Sequence, residues 1–243
     1  MKPEDAEKLA DGIDDRLSGA ARALPPPPPS PEMLKAIAAV KPVRTRSRFG
    51  AFLTVLAIGA MWPAFTLIGS PLRKDLGGLP PAWVAIGAAL WAVTLVVSLA
   101  VALVPARGDV LPSAGRASRV SATLMGLVLL FTAVWTASAP GVSLRPEDLG
   151  MTLIQSCYGC GKYVLQVAAI VMILGLLFLR RVLPVGGRRI GLAVGAAGGA
   201  LGGLALHFLC PIGTTVHVLL SHVGAMVLAS LAGALIFQGL LGR

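Results

Sequence analysis

The residues best suited to chemistry in this 243-residue chain are three cysteines and three histidines, all between positions 157 and 222. Cys157 and Cys160 stand in Ser156-Cys157-Tyr158-Gly159-Cys160-Gly161. His207 and Cys210 precede the turn Pro211-Ile212-Gly213, and His217 and His222 follow it. Thiolates and imidazoles together suit zinc or copper, and a Cys-x-x-Cys pair with a distant Cys or His is a common four-ligand set. In an oxidising compartment the same pair can close as a disulfide or exchange with Cys210. A third reading makes the cysteines small apolar packing residues and the histidines helix-end caps. On a regular helix His222 points partly away from His217, five residues earlier, and is the weakest member of the set.

Hydrophobic residues make up 56% of the chain and charged residues 13%, with a mean hydropathy of +0.81. Soluble domains carry about 25% charged residues, so lipid is the expected solvent. Aromatics are scarce at 5% and glycines number 29, which suits closely packed helices better than an aromatic-girdled barrel. Charge-free runs at 50–69, 82–104, 120–138, 163–179, 190–209 and 216–241 predict an all-α, six-transmembrane-helix bundle. The fourth run is short, with Lys162 placed to snorkel at its edge and Cys157 and Cys160 just outside it. Of the 21 lysines and arginines, 17 fall in the tail, the second and fourth connections and the C-terminus. Four fall on the other side: Arg73, Lys74, Arg145 and Lys162. This bias predicts cytoplasmic N- and C-termini and a thiol–imidazole cluster on the outer side of a bacterial inner membrane. The net charge of +10 is thus topogenic, and no direct nucleic-acid binding is expected.

The division is a cytoplasmic segment 1–49 and a membrane domain 50–243. No cleavable signal precedes the first apolar run. In the tail, Ala6, Leu9, Ala10, Ile13, Leu17, Ala20 and Leu24 form one apolar helical stripe. Acids crowd the same segment, Asp11, Asp14 and Asp15 among them. A helix of this length is marginal alone in water. It reads either as a frayed or lipid-lying tail, or as a helix that orders in the apolar, basic-rimmed cleft of a partner such as a sigma factor. Prolines 25–29 make a stiff spacer, and Ser30 caps a second short helix beginning at Pro31. The basic cluster 41–48 suits anionic lipid headgroups.

Gly191, Gly195, Gly199 and Gly203, with Gly198 and Gly202 beside them, form a small-residue ridge on the fifth span. Such a ridge serves tight packing within the bundle or contact with a second copy in a homo-oligomer. The stretch from Leu204 to Gly233, with Leu209-Cys210-Pro211 and His217-Val218-Leu219-Leu220-Ser221-His222-Val223-Gly224, resembles the NrsF-type integral-membrane anti-sigma factors. These are negative regulators of extracytoplasmic-function sigma factors. The resemblance implies a regulator rather than an enzyme, with a sigma-factor-binding cytoplasmic segment, six spans and cysteines near the outer surface. The family's upstream cysteine corresponds to Cys157 or Cys160, and its later one to Cys210. The expected site residues are therefore Leu9, Ile13, Leu17, Asp11, Asp14 and Asp15 for the partner. For a redox or zinc or copper signal they are Cys157, Cys160, Cys210, His207 and His217. Two alternatives remain: a membrane thiol oxidoreductase using Cys157 and Cys160 with Cys210 as relay, and a metal transporter. Neither a quinone-site signature nor a midplane acid or histidine supports them.

Overall fold

The computed structural model describes residues 30–39, 48–105, 112–138, 144–180 and 187–241. The partner-binding candidates Leu9, Asp11, Ile13, Asp14, Asp15 and Leu17 lie outside the described residues. Contacts divide the chain into two units, Met1–Thr45 and Arg46–Arg243. In the first, α1 (Pro31–Ala39) starts as its sequence dictates: the Ser30 hydroxyl accepts the Met33 N–H at 3.2 Å, and proline fills the first position, where no N–H is needed.

The second unit is an all-α bundle. Its helices are α2 (Arg48–Gly69), α3 (Pro81–Leu103), α4 (Ala114–Ser138), α5 (Leu153–Leu179) and α6 (Gly187–Leu209). A short α7 (Thr215–His217), a π-helical turn (Val218–Val223) and α8 (Gly224–Leu241) then run on as one rod. Six helices are long and apolar enough to cross a membrane. Several extend past the charge-free runs because charged side chains near their ends are exposed within the helix, as Arg119 is in α4 and Arg188 and Arg189 are in the first turn of α6.

Helix α6 is the axis of the bundle. Within its apolar window 78% of residues are buried, against 22–50% in the other five spans. The glycine ridge explains this position. A Cβ on Gly199 would lie 2.7 Å from the Cα of Met226 on α8, and one on Gly202 would lie 2.8 Å from the Cα of Val164 on α5. Backbones can approach so closely only where one side chain is missing. Gly203 leaves room for the indole of Trp91 on α3. The ridge therefore packs within the chain, and the glycines that a second copy would need are buried against α3, α5 and α8. Apolar side chains on the outer helices point away from this axis, Ile68 at 88% exposure and Ile154 at 81% being the extremes.

Three connections converge where α2, α4 and α6 end. In the first, the Arg73 N–H donates to the Phe208 carbonyl at 3.0 Å. Its guanidinium is buried in an ion pair with Asp75, Nε to Oδ1 at 2.7 Å, and lies over the Trp83 ring. In the second, Leu144 forms an isolated parallel bridge with Ile212 of the third. The thiol–imidazole residues lie at this end.

Candidate functional site

Cys157 and Cys160 are helical residues, not residues outside a span. A capping box starts α5 early: the Thr152 hydroxyl accepts the Gln155 N–H at 3.2 Å, and the Gln155 side chain accepts the Thr152 N–H at 2.9 Å. The helix thus begins at Leu153 and carries Ser156, Cys157 and Cys160 on its first two turns, with Lys162 inside it. Cys210 follows the last residue of α6, where its N–H closes the helix on the Leu206 carbonyl at 2.8 Å and Pro211 ends the run.

The sulfur atoms pair across helices. Cys160 Sγ lies 3.6 Å from Cys210 Sγ, and Cys210 Sγ lies 3.4 Å from His217 Nε2. Cys157 Sγ stands on the far side of the same imidazole, 3.7 Å from Nδ1, and borders an apolar groove of 730 Å³ with Tyr158, Leu165 and Leu228. His217 is fully buried and Cys210 is 4% exposed. The hydrogen bond from the Cys160 thiol holds the Cys210 thiol below its ordinary range, against the desolvation that raises it.

Hydrogen-bond accounting sets the His217 tautomer. The Ser156 hydroxyl has one proton, and it donates to the Leu153 carbonyl at 2.9 Å. Ser156 Oγ is therefore the acceptor in its 3.1 Å contact with His217 Nδ1. The proton sits on Nδ1, and the Nε2 lone pair faces the sulfur of Cys210.

His222 joins this cluster, contrary to its expected direction. On a regular α-helix, positions five apart differ by about 140° around the axis. From Val218 to Val223 the chain is π-helical, and the Gly224 N–H bonds the Leu219 carbonyl five residues back. That winding stacks positions five apart. Within it the Ser221 hydroxyl donates to the His217 carbonyl at 2.6 Å, the acceptor that its own N–H would use in an α-helix. The His217 and His222 rings meet edge to face at 5.5 Å. Cys160, Cys210, His217 and His222 form a group that could hold a metal, one ligand atom from each lying within 4.8 Å of the others.

His207 is not in that group. It stands on the face of α6 turned to α3, where its Nε2 lies 3.0 Å from the Val84 carbonyl and its ring stacks on Trp83 at 5.0 Å. Gly87 makes the space: a Cβ there would lie 3.0 Å from Nε2. The structure thus gathers Cys157, Cys160 and Cys210 about the imidazole of a fourth expected residue, His217, adds His222 and Ser156, and places His207 against α3. Ser156 stands beside the Cys-x-x-Cys pair in the sequence, but its role rests on a partner 61 positions away.

The profile of the NrsF family, described as negative regulator of sigma F, matches residues 36–242. Comparisons with curated proteins and with solved structures found no match.

Proposed function

The chain belongs to the NrsF family, negative regulators of sigma F, and on that premise we propose that it holds an extracytoplasmic-function sigma factor at a bacterial inner membrane. Negative regulation of a sigma factor follows from the family. The holding segment in this proposal is the acidic tail, with Leu9, Ile13 and Leu17 as apolar anchors and Asp11, Asp14 and Asp15 toward a basic rim. That segment precedes the matched residues. Both termini face the cytoplasm, as the 17-to-4 distribution of positive residues supports.

The signal in this proposal is oxidative or metallic and acts from the periplasm on Cys157, Cys160, Cys210 and His217, with zinc or copper as the metal. One observation carries the reading: residues from α5, from the end of α6 and from the π-turn meet in a single buried knot of thiols and imidazoles. A disulfide or a bound metal there would change how three helices are tied together. A preference of a few kcal/mol between two arrangements suffices to shift a bound partner's affinity.

The test is a transcriptional reporter for the cognate sigma factor in cells carrying the full-length protein. Changing Leu9, Ile13 and Leu17 to Asp raises output without any stress, because each buried anchor contributes about 1.5–3 kcal/mol. Cys210→Ser fixes output at one level under peroxide, cadmium and copper. Normal repression by the triple variant overturns the tail contact. Normal induction in Cys210→Ser, at unchanged membrane levels, removes the cluster as the sensor.

A further inference from the structure

The proposed function leaves open whether the knot works by disulfide exchange or by coordination. Two of its separations fall near the lengths that coordination requires. In a tetrahedral zinc site, Zn–S bonds of about 2.3 Å and Zn–N bonds of about 2.0–2.1 Å place two sulfurs about 3.8 Å apart and a sulfur and nitrogen about 3.6 Å apart. The Cys160–Cys210 and Cys210–His217 separations are 3.6 Å and 3.4 Å. A fourth donor is present: His222 is 4% exposed, and its Nε2 is buried without a hydrogen bond. A buried polar atom of that kind is costly unless something binds it.

We propose that Cys160, Cys210, His217 and His222 form a four-coordinate site for a divalent d10 cation, zinc being the type ion, and that the π-turn exists to deliver His222 to it. Charge selects the divalent ion over copper(I). Two thiolates cancel Zn²⁺ and leave a neutral centre, whereas a monovalent ion leaves a net negative one in a buried place. The support for His217 is already built: the Leu153 carbonyl orders the Ser156 hydroxyl, which holds the proton of His217 on Nδ1 and leaves Nε2 free to ligate. Cys157 is not a ligand. It approaches His217 on Nδ1, the protonated side. Binding releases the thiol protons to solvent and involves no electron transfer. That the site is the regulator's switch rests on the proposed function; its occupancy does not.

The experiment uses the full-length protein in detergent, reduced, stripped with a chelator, and titrated with zinc alone or with cobalt(II) as a coloured substitute. One zinc per chain stays bound through desalting, and cobalt gives the intense visible bands of a tetrahedral sulfur-ligated site. Cys160→Ser and Cys210→Ser lose the sulfur-to-cobalt band. His222→Gln weakens zinc binding by more than the roughly 10–100-fold that loss of an outer-shell partner costs, and His222→Cys restores a tetrahedral spectrum with a stronger sulfur band. His207→Gln leaves stoichiometry and spectrum unchanged. Sub-stoichiometric zinc in the reduced wild type, a six-coordinate cobalt spectrum, or unchanged binding in a folded His222→Gln variant overturns the site. Stoichiometric binding that His222→Gln abolishes, in cells whose reporter still responds normally, upholds the metal site and fails the signalling role. A reporter that depends on Cys210, with no zinc bound by the protein, overturns the site and leaves the redox reading standing.

Discussion

Ser156 supplies no soft ligand, yet it decides which nitrogen of His217 faces the sulfurs, since its own proton is committed to Leu153. Ser156→Ala removes that acceptor and lets the ring take either tautomer. The expected result is one zinc still bound per chain, at an affinity lower by roughly 10–100-fold, measured by competition with a chromophoric chelator. Asp75 presents the other consequential single residue. Its carboxylate neutralises Arg73, whose side chain is 4% exposed and whose backbone N–H ties the connection between α2 and α3 to Phe208. Asp75→Ala leaves a guanidinium buried and unpaired, which costs about 3–5 kcal/mol. A fall of that size should appear in reversible unfolding of the detergent-solubilised protein, with the loss smaller in the Arg73→Met, Asp75→Ala double variant. Neither role is legible from residue types. In the sequence Arg73 counts only as one of four outer positive charges, because its partner and its burial depend on the fold.

At the scale of elements, what can be read depends on whether a helix follows the regular period. The six spans stand out as charge-free runs, and the glycine ridge is legible because its four-residue spacing holds on an ideal α-helix. Its neighbours are not, since the same glycines serve packing inside one chain or between two. The structure settles this by burying α6. The prediction is a contrast between glycines. Gly195→Ala drives a methyl into the Ala229 carbonyl of α8, and overpacking of this kind costs about 1–3 kcal/mol. Gly126, mid-helix in α4, has no neighbouring atom within 4 Å of where a methyl would stand, so Gly126→Ala should be neutral or gain up to about 1 kcal/mol. Thermal unfolding of the two variants beside wild type checks the pair. The last helix reverses the lesson. Regular α-helical geometry discounts His222, and the departure from it is a π-turn, within which the Ser221 hydroxyl donates to the His217 carbonyl. Ordinary periodicity carries no sign of that substitution of acceptors. The start of α5 escapes the hydrophobic pattern for a different reason. The Thr152–Gln155 box is a readable signal, but the charge-free run alone places the helix start at Tyr163 rather than at Leu153.

For the whole molecule, the asymmetry of charge and the placement of the cluster give one joint expectation. The connections that carry Arg73, Lys74 and Arg145 gather at the end where Cys210 and His217 sit, as the contacts from Arg73 to Phe208 and from Leu144 to Ile212 require. Positive residues hold back from crossing, so the end with four of the 21 should be the outer one. Cys157 gives the most direct readout, because it borders the open groove while Cys210 is 4% exposed. A membrane-impermeant thiol reagent applied to intact spheroplasts, after reduction and chelation, should label Cys157 faster than Cys160 and leave Cys210 slowest. Cysteine introduced in place of Ser30, in a background lacking the native three, should label only after lysis. Labelling of the Ser30→Cys variant in intact spheroplasts, with Cys157 protected until lysis, would reverse the orientation. It would also place the knot in the reducing cytoplasm, where a lasting disulfide is disfavoured and coordination is the chemistry left to it. With the expected orientation, adding zinc back to the stripped spheroplasts should slow labelling of Cys160 and Cys210 while leaving Cys157 at its first rate. That ordering follows only if metal and outer exposure belong to the same end of the bundle.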